Sequence, residues 1–190
     1  MGTEEDMNPR ILSSVIDNTC TNLLRQILHH SVPQTEMSKV LNYVNTKEQL
    51  FKRLKKPQKD ILYPQNGGYF NGSYSELDLS LLYILIRNVS KIPGHQKGWG
   101  ETPSPTDQSV AANVERLRLI RNKQSHTCTG NLSKNDFETL WNELITCIEL
   151  LEKTLPDNKG QYKEEAEKIK EEILQGTELK ETVREIQGCK

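Results

Sequence analysis

In the stretch IRNKQSH, residues 120–126, Arg121 stands five residues ahead of His126, with Asn122 directly after the arginine. A forked guanidinium suits phosphate oxygens. An imidazole, with an unperturbed pKa of about 6.5, gives and takes protons near neutral pH. Together they supply most of what cutting RNA without a metal requires. The spacing occurs twice, however, because Arg25 and His30 repeat it. Both residue types are also ordinary on a helix surface, so spacing alone does not tell a site from a solvated face.

Geometry narrows the question. On a helix of 3.6 residues per turn, a five-residue step turns about 140°, so Arg121 and His126 do not share a face. Arg121 lines up with Val110, Val114 and Leu117, toward packed structure. His126 lines up with Arg118 and Asn122 at i, i+4 spacing. The two side chains converge only if the helix ends near His126, or if a second copy of the chain supplies the other wall of a cleft. Helix-ending residues follow at once in TCTG, and Pro33 follows His30, so neither pair is singled out.

The elements that must carry these residues read as helices, since no strand-like alternation persists. Ile11, Leu12, Val15, Ile16, Cys20, Leu23, Leu24, Ile27 and Leu28 place one apolar stripe on a long first helix, ended by Pro33. A second helix is expected from Thr35 to just before Pro57. Residues 57–76 read as a loop rich in proline and glycine. LDLSLLYILIRNVSKI, from Leu77, is apolar nearly all round and reads as a buried central helix, with Ser75 and Asp78 as its capping box. After a second loop holding Trp99, Ser104 with Pro105 and Asp107 reads as the start of the fourth helix, the one bearing Arg121. Ser133 and Asp136 read as a capping box for a fifth, running to Pro156. From Glu164 to Glu185 there are eight Glu against four Lys or Arg, and the heptad register fails at Gly176. That tail reads as an acidic, solvated helical extension that packs weakly or on a partner.

These elements divide the 190 residues into a disordered tail (1–9), a helical domain (10–155) and the acidic extension or linker to a missing region (156–190). The formal net charge of −1 creates no global field toward nucleic acid or membrane. One basic concentration exists: residues 47–59 hold six Lys or Arg and one Glu, with Phe51 among them. Within it Lys52, Arg53, Lys55 and Lys56 are the candidate contacts to RNA phosphates, against the plainer reading of a solvated face. The longest mostly apolar run, Leu77–Ile86, interrupted by Asp78 and Ser80, is far short of a bilayer span of roughly 20 residues, so no membrane association is expected. Cys20, Cys128, Cys147 and Cys189 show no metal spacing, and no metal or cofactor is expected. A cytoplasmic protein with reduced thiols fits this pattern.

LRLIRNKQSH resembles the R-x4-6-H signature of the HEPN superfamily, including the polar residue after the arginine. Its flanks narrow the likeness. LYP at 62–64, LDLSLLYILIRN at 77–88, GWG at 98–100, Pro103, Asp107, ANVERLRLIRN at 112–122 and LSKNDFETLWNELITCI at 132–148 resemble, in order, the HEPN domain of the DAZ-interacting ubiquitin-ligase family. The likeness covers roughly residues 30–155, and Ser125 stands where many relatives have glycine.

The resemblance implies an all-α antiparallel bundle of about five helices that homodimerises, bringing two arginine motifs together over one groove. It implies Arg121, Asn122 and His126 as the catalytic group, with Asp78, Glu115 and Arg118 in support; the plainer reading of Arg121 is a buried helix–helix ion pair with Asp78 on the central helix. Superfamily members with intact motifs are often metal-independent endoribonucleases, while others serve as dimerisation or RNA-binding modules. Two readings therefore stand open. The first is a ribonuclease or binder of single-stranded RNA; the second is a non-catalytic homodimerisation or interaction module of a larger signalling or ubiquitin-ligase protein. No RING cysteine pattern is present, so ligase activity would lie in other domains of a longer parent chain.

Overall fold

Near the amino terminus, core-facing positions recur every four residues rather than every 3.6. Ile11, Val15, Thr19, Leu23 and Ile27 form one row, and Leu12, Ile16, Cys20, Leu24 and Leu28 the next. On a regular α-helix each four-residue step overshoots a full turn by about 40°, so such a stripe would wind round the axis. In the computed structural model a π-helical turn, Ile16–Cys20, joins α1 (Glu4–Val15) to α2 (Thr21–Ser31). The extra residue rewinds the stripe, and both rows are buried throughout. The Thr21 amide and hydroxyl both donate to the Ile16 carbonyl, the hydroxyl at 2.9 Å, so the bulge leaves that acceptor satisfied. The expected long first helix is thus present with a π turn inside it. It begins at Glu4, not near Pro9, and the Asn8 amide group donates to the Leu132 carbonyl at 3.1 Å.

The structure describes the backbone of residues 4–64, 70, 72–127, 132–157 and 159–188, and their side chains except at 4–6, 126–127 and 177–188. The molecule is an all-α bundle, with no strand among the described residues. The expected second helix is two, α3 (Gln34–Asn42) and α4 (Val44–Phe51), because Tyr43 between them is extended, at φ −61° and ψ 130°. Part of the expected loop after Pro57 is helical: α5 (Lys56–Leu62) carries Pro57 in its first turn, where a missing amide hydrogen costs nothing. A 3-10 turn, Tyr74–Glu76, precedes α6 (Leu79–Val89). Asp78, not Ser75, caps α6, its carboxylate accepting from the Leu81 amide at 2.7 Å.

The helix bearing Arg121 is α7 (Val110–Thr127), starting several residues later than Ser104. Residues 104–109 instead form a turn in which Asp107 accepts from the Gln96 and Ser109 amides, both at 3.0 Å. These amides, together with the Ser109 hydroxyl, hold its carboxyl down to about 2. Ser133 caps α8 (Lys134–Glu152) as the spacing predicts, accepting from the Asp136 amide at 3.2 Å. The expected extension is α9 (Gln161–Gly188). Its first half is not merely solvated: Tyr162 and Ala166 are buried, and Ile169, Ile173 and Leu174 pack against the core.

In the assembled bundle α7 lies along α8, and α2 lies along α6. The α1 rod end is enclosed by α7, α8 and α9, while α4 rests on α3 and α6. Among the described residues no helix is long and apolar enough to cross a membrane.

Candidate functional site

Two arginines begin the two matching motifs, and their surroundings separate them. Arg25, on α2, is heavily engaged. Its Nε donates to the Tyr74 carbonyl at 2.9 Å, and its Nη2 to the Ser75 and Leu77 carbonyls, both at 2.9 Å. Its Nη1 reaches Asn22 Oδ1 at 2.6 Å. Those bonds use four of the five guanidinium hydrogens and fasten the 3-10 turn to α2. Arg121, on α7, is half-buried. Among the described residues its guanidinium has no hydrogen bond and no ion pair, and the Asn122 side chain beside it is likewise half-buried and unengaged.

Asp78 does not meet Arg121 by any hydrogen bond or ion pair among the described residues. Its carboxylate is spent at the start of α6, where unpaired amides demand an acceptor. The backbone of His126 lies within α7, while its side chain lies outside the described residues, as do Cys128 and Cys189. α7 does not stop at the motif. The Ser125 hydroxyl donates back to the Arg121 carbonyl at 2.9 Å, and the helix runs on to Thr127. Positions 121 and 126 therefore leave the helix about 140° apart.

Glu115 and Arg118, the expected supporting residues, belong to a separate network one to two turns earlier on α7. Glu115 is fully buried and accepts from three donors: the Tyr83 hydroxyl at 2.6 Å, Arg118 Nε at 2.7 Å, and the Gly100 amide. Burial, and then the Glu115 carboxylate, push the Tyr83 hydroxyl's pKa up, so it stays protonated and donates. Arg118 also lies 5.3 Å from the Tyr83 ring centre, where cation and ring face attract. Arg87 Nη1 donates to Tyr83 at 3.3 Å, and Trp99 meets the Tyr83 ring edge-on at 6.1 Å.

The network explains the GWG loop. Gly100 has φ +96°, a conformation that favours glycine, and a Cβ there would lie 3.0 Å from Arg87 Nη1, so the guanidinium would have to give way. Glu115, with no exposed surface, touches no ligand; it positions Arg118 and ties the loop to α7. Tyr83, Arg87 and Gly100 were not singled out individually from the sequence, though all three lie in the stretches that carried the resemblance.

The remaining candidates lie elsewhere. Lys52, Arg53, Lys55 and Lys56 are exposed where α4 gives way to α5, away from α7. Beside them the sequence reading missed a cluster of exposed apolar groups, of which Phe51 among the lysines was the visible sign. Surface pockets of about 650, 470, 370 and 200 Å³ are present, and neither Arg121 nor Asn122 stands in the walls of these four. Cys20 and Cys147 are free and buried; burial pushes the Cys147 thiol up to about 12 and the Cys20 thiol higher still, which keeps both protonated and inert. No three His, Cys, Asp or Glu side chains come together as metal ligands among the described residues.

The chain is 25% identical over 166 residues to the E3 ubiquitin-protein ligase DZIP3 of Homo sapiens, and equally to that of Mus musculus. Those alignments cover 84% of this chain but only 13% of either relative, so the chain spans about an eighth of their length. No solved structure matches it. The model of the DZIP3/hRUL138-like HEPN family matches residues 34–181, which takes in Arg121, the GWG loop and the docked half of α9. The chain belongs to that HEPN family.

Proposed function

We propose that this HEPN domain holds single-stranded RNA against the Arg121–Asn122 face of α7, in a cleft that a second copy of the chain completes. One observation carries the reading. Arg121 presents a half-buried guanidinium with no protein partner among the described residues, whereas Arg25, its twin by spacing, is tied to three backbone carbonyls and the Asn22 side chain. A cation that the fold does not use is available for a phosphate.

In this reading the chemistry is transesterification. The RNA 2′-hydroxyl attacks the adjacent phosphorus, the bond to the 5′-oxygen breaks, and a 2′,3′-cyclic phosphate and a free 5′-hydroxyl result. Arg121 steadies the charge that builds on the phosphorane oxygens. His126 takes the proton from the 2′-oxygen or returns one to the leaving 5′-oxygen. Asn122 orients the phosphate, and Glu115 acts only by holding Arg118. The continuation of α7 through Thr127 favours a His126 that works across a twofold axis rather than beside its own Arg121.

The test is incubation of the purified chain with labelled single-stranded RNA in EDTA, alongside Arg121→Ala and His126→Ala. Cleavage by the parent, lost in both variants, is the expected result. Cleavage that survives His126→Ala removes the imidazole from the mechanism. The second reading, a non-catalytic interaction module of a longer protein, is favoured by the chain's small share of its ubiquitin-ligase relatives. It predicts neither cleavage nor salt-sensitive RNA binding.

A further inference from the structure

We infer that the outer face of α4, with the α3–α4 junction and α5, is a docking groove for an acidic amphipathic helix of another protein. Leu50 is the buried residue of α4, and the face about 100–120° round the helix from it, which carries Val44 and Phe51, is apolar where it should be polar. Val44 is 71% exposed, Tyr43 54%, and Phe51 and Ile61 40% each. Val44, Lys47, Glu48, Phe51 and Lys52 wall a groove of about 650 Å³ together with Asn42. Val44 and Phe51 stand seven residues apart on one helix, two turns or about 10.5 Å. That is the repeat of apolar side chains on a partner helix.

Charge defines the partner. Lys47 and Lys52 stand in the groove wall against the single Glu48, and Lys59 lies over the Phe51 ring, so the groove's occupant carries Asp or Glu beside its apolar stripe. RNA fits less well. Of the four large exposed apolar side chains here, Val44, the most exposed, and Ile61 are aliphatic and offer bases nothing to stack on. The chain's own ammonium groups already lie by the aromatic rings: Lys59 is 5.0 Å and Lys47 5.8 Å from the Phe51 centre, and Lys47 is 5.3 Å from that of Tyr63. A second copy fits less well too. The acidic helix this chain offers is α9, and its described apolar residues already pack on its own core.

The experiment measures fluorescence anisotropy with the full chain and three labelled probes. They are an 18-residue peptide with Leu at i, i+4, i+7 and i+11 and Glu elsewhere, the same peptide with Lys for Glu, and a 20-nucleotide poly(U). The acidic peptide binds, the basic one does not, and Val44→Asp or the pair Lys47→Glu and Lys59→Glu weakens binding at least tenfold. Circular dichroism confirms that these surface variants stay folded. Arg121→Ala leaves peptide binding unchanged, which separates this groove from the α7 site. Three results overturn the inference: no binding of the acidic peptide at 100 µM, binding that Val44→Asp does not weaken, or a groove that Val44→Asp shows to bind poly(U) or a second copy instead.

Discussion

At the scale of single residues, the fold spends some charges and leaves others unspent, and the two kinds should respond oppositely to removal. Glu115 is fully buried with three donors converging on it. Truncating it leaves the Gly100 amide, the Tyr83 hydroxyl and Arg118 without their acceptor. Removing one partner of a buried pair costs roughly 3–5 kcal/mol, and Glu115→Ala should fall at the lower end, since Arg118 retains 25% side-chain exposure. Arg121→Ala removes a guanidinium that the described structure does not engage, and its cost should stay within about 0.5 kcal/mol. Urea unfolding with an unchanged slope reads both values. A Glu115 variant as stable as the parent, or an Arg121 variant as unstable as Glu115→Ala, contradicts this division. The arginine motif was legible from its residue types, but which of its two occurrences was free was not. That depended on Tyr74, Ser75 and Leu77, which lie about fifty positions from Arg25 in sequence and meet it only after folding.

Elements were more legible than their ends. The Ser133 cap of α8 satisfied its own helix within four residues, so a local pattern was enough. The start of α7 was not local, because Asp107 turns away from a helical role to bind the Gln96 amide eleven residues back. The π turn left a trace in the four-residue recurrence of Ile11–Leu28, which a 3.6-residue period does not sustain. α9 is the element for which composition misled most: its many glutamates describe its outer face, while Tyr162 and Ala166 turn inward. Lys170 lies 4.5 Å from the Trp141 ring centre, so one of its cations also binds α8 through the ring face. Tyr162→Ala should therefore cost about 2–4 kcal/mol, as for other large side chains deleted from a core, whereas Glu164→Ala on the exposed side should change stability by less than about 0.5 kcal/mol. Thermal and urea unfolding of the two variants check the contrast; equal, small effects would return α9 to the status of a loose extension.

Across the whole molecule, charge is distributed rather than absent. The basic run lies on α4 and α5, the acidic excess lies on α9, and the sum is −1. Copies of this chain therefore meet with little net repulsion, while the local fields remain available for specific contacts. The unengaged Arg121 on α7 lies on neither of these charged surfaces. If a twofold contact joins the Arg121 faces, unfolding releases two chains from one dimer, and mass action ties the melting temperature to concentration. A tenfold change in concentration is worth about 1.4 kcal/mol, shared over the unfolding entropy of two 190-residue chains, which amounts to roughly 2 °C. The parent should thus gain about 4 °C between 1 and 100 µM. A parent whose melting point does not move over that range, with a monomer mass at its upper end, leaves no second copy to complete the cleft, and the proposed cleavage across the axis falls with it.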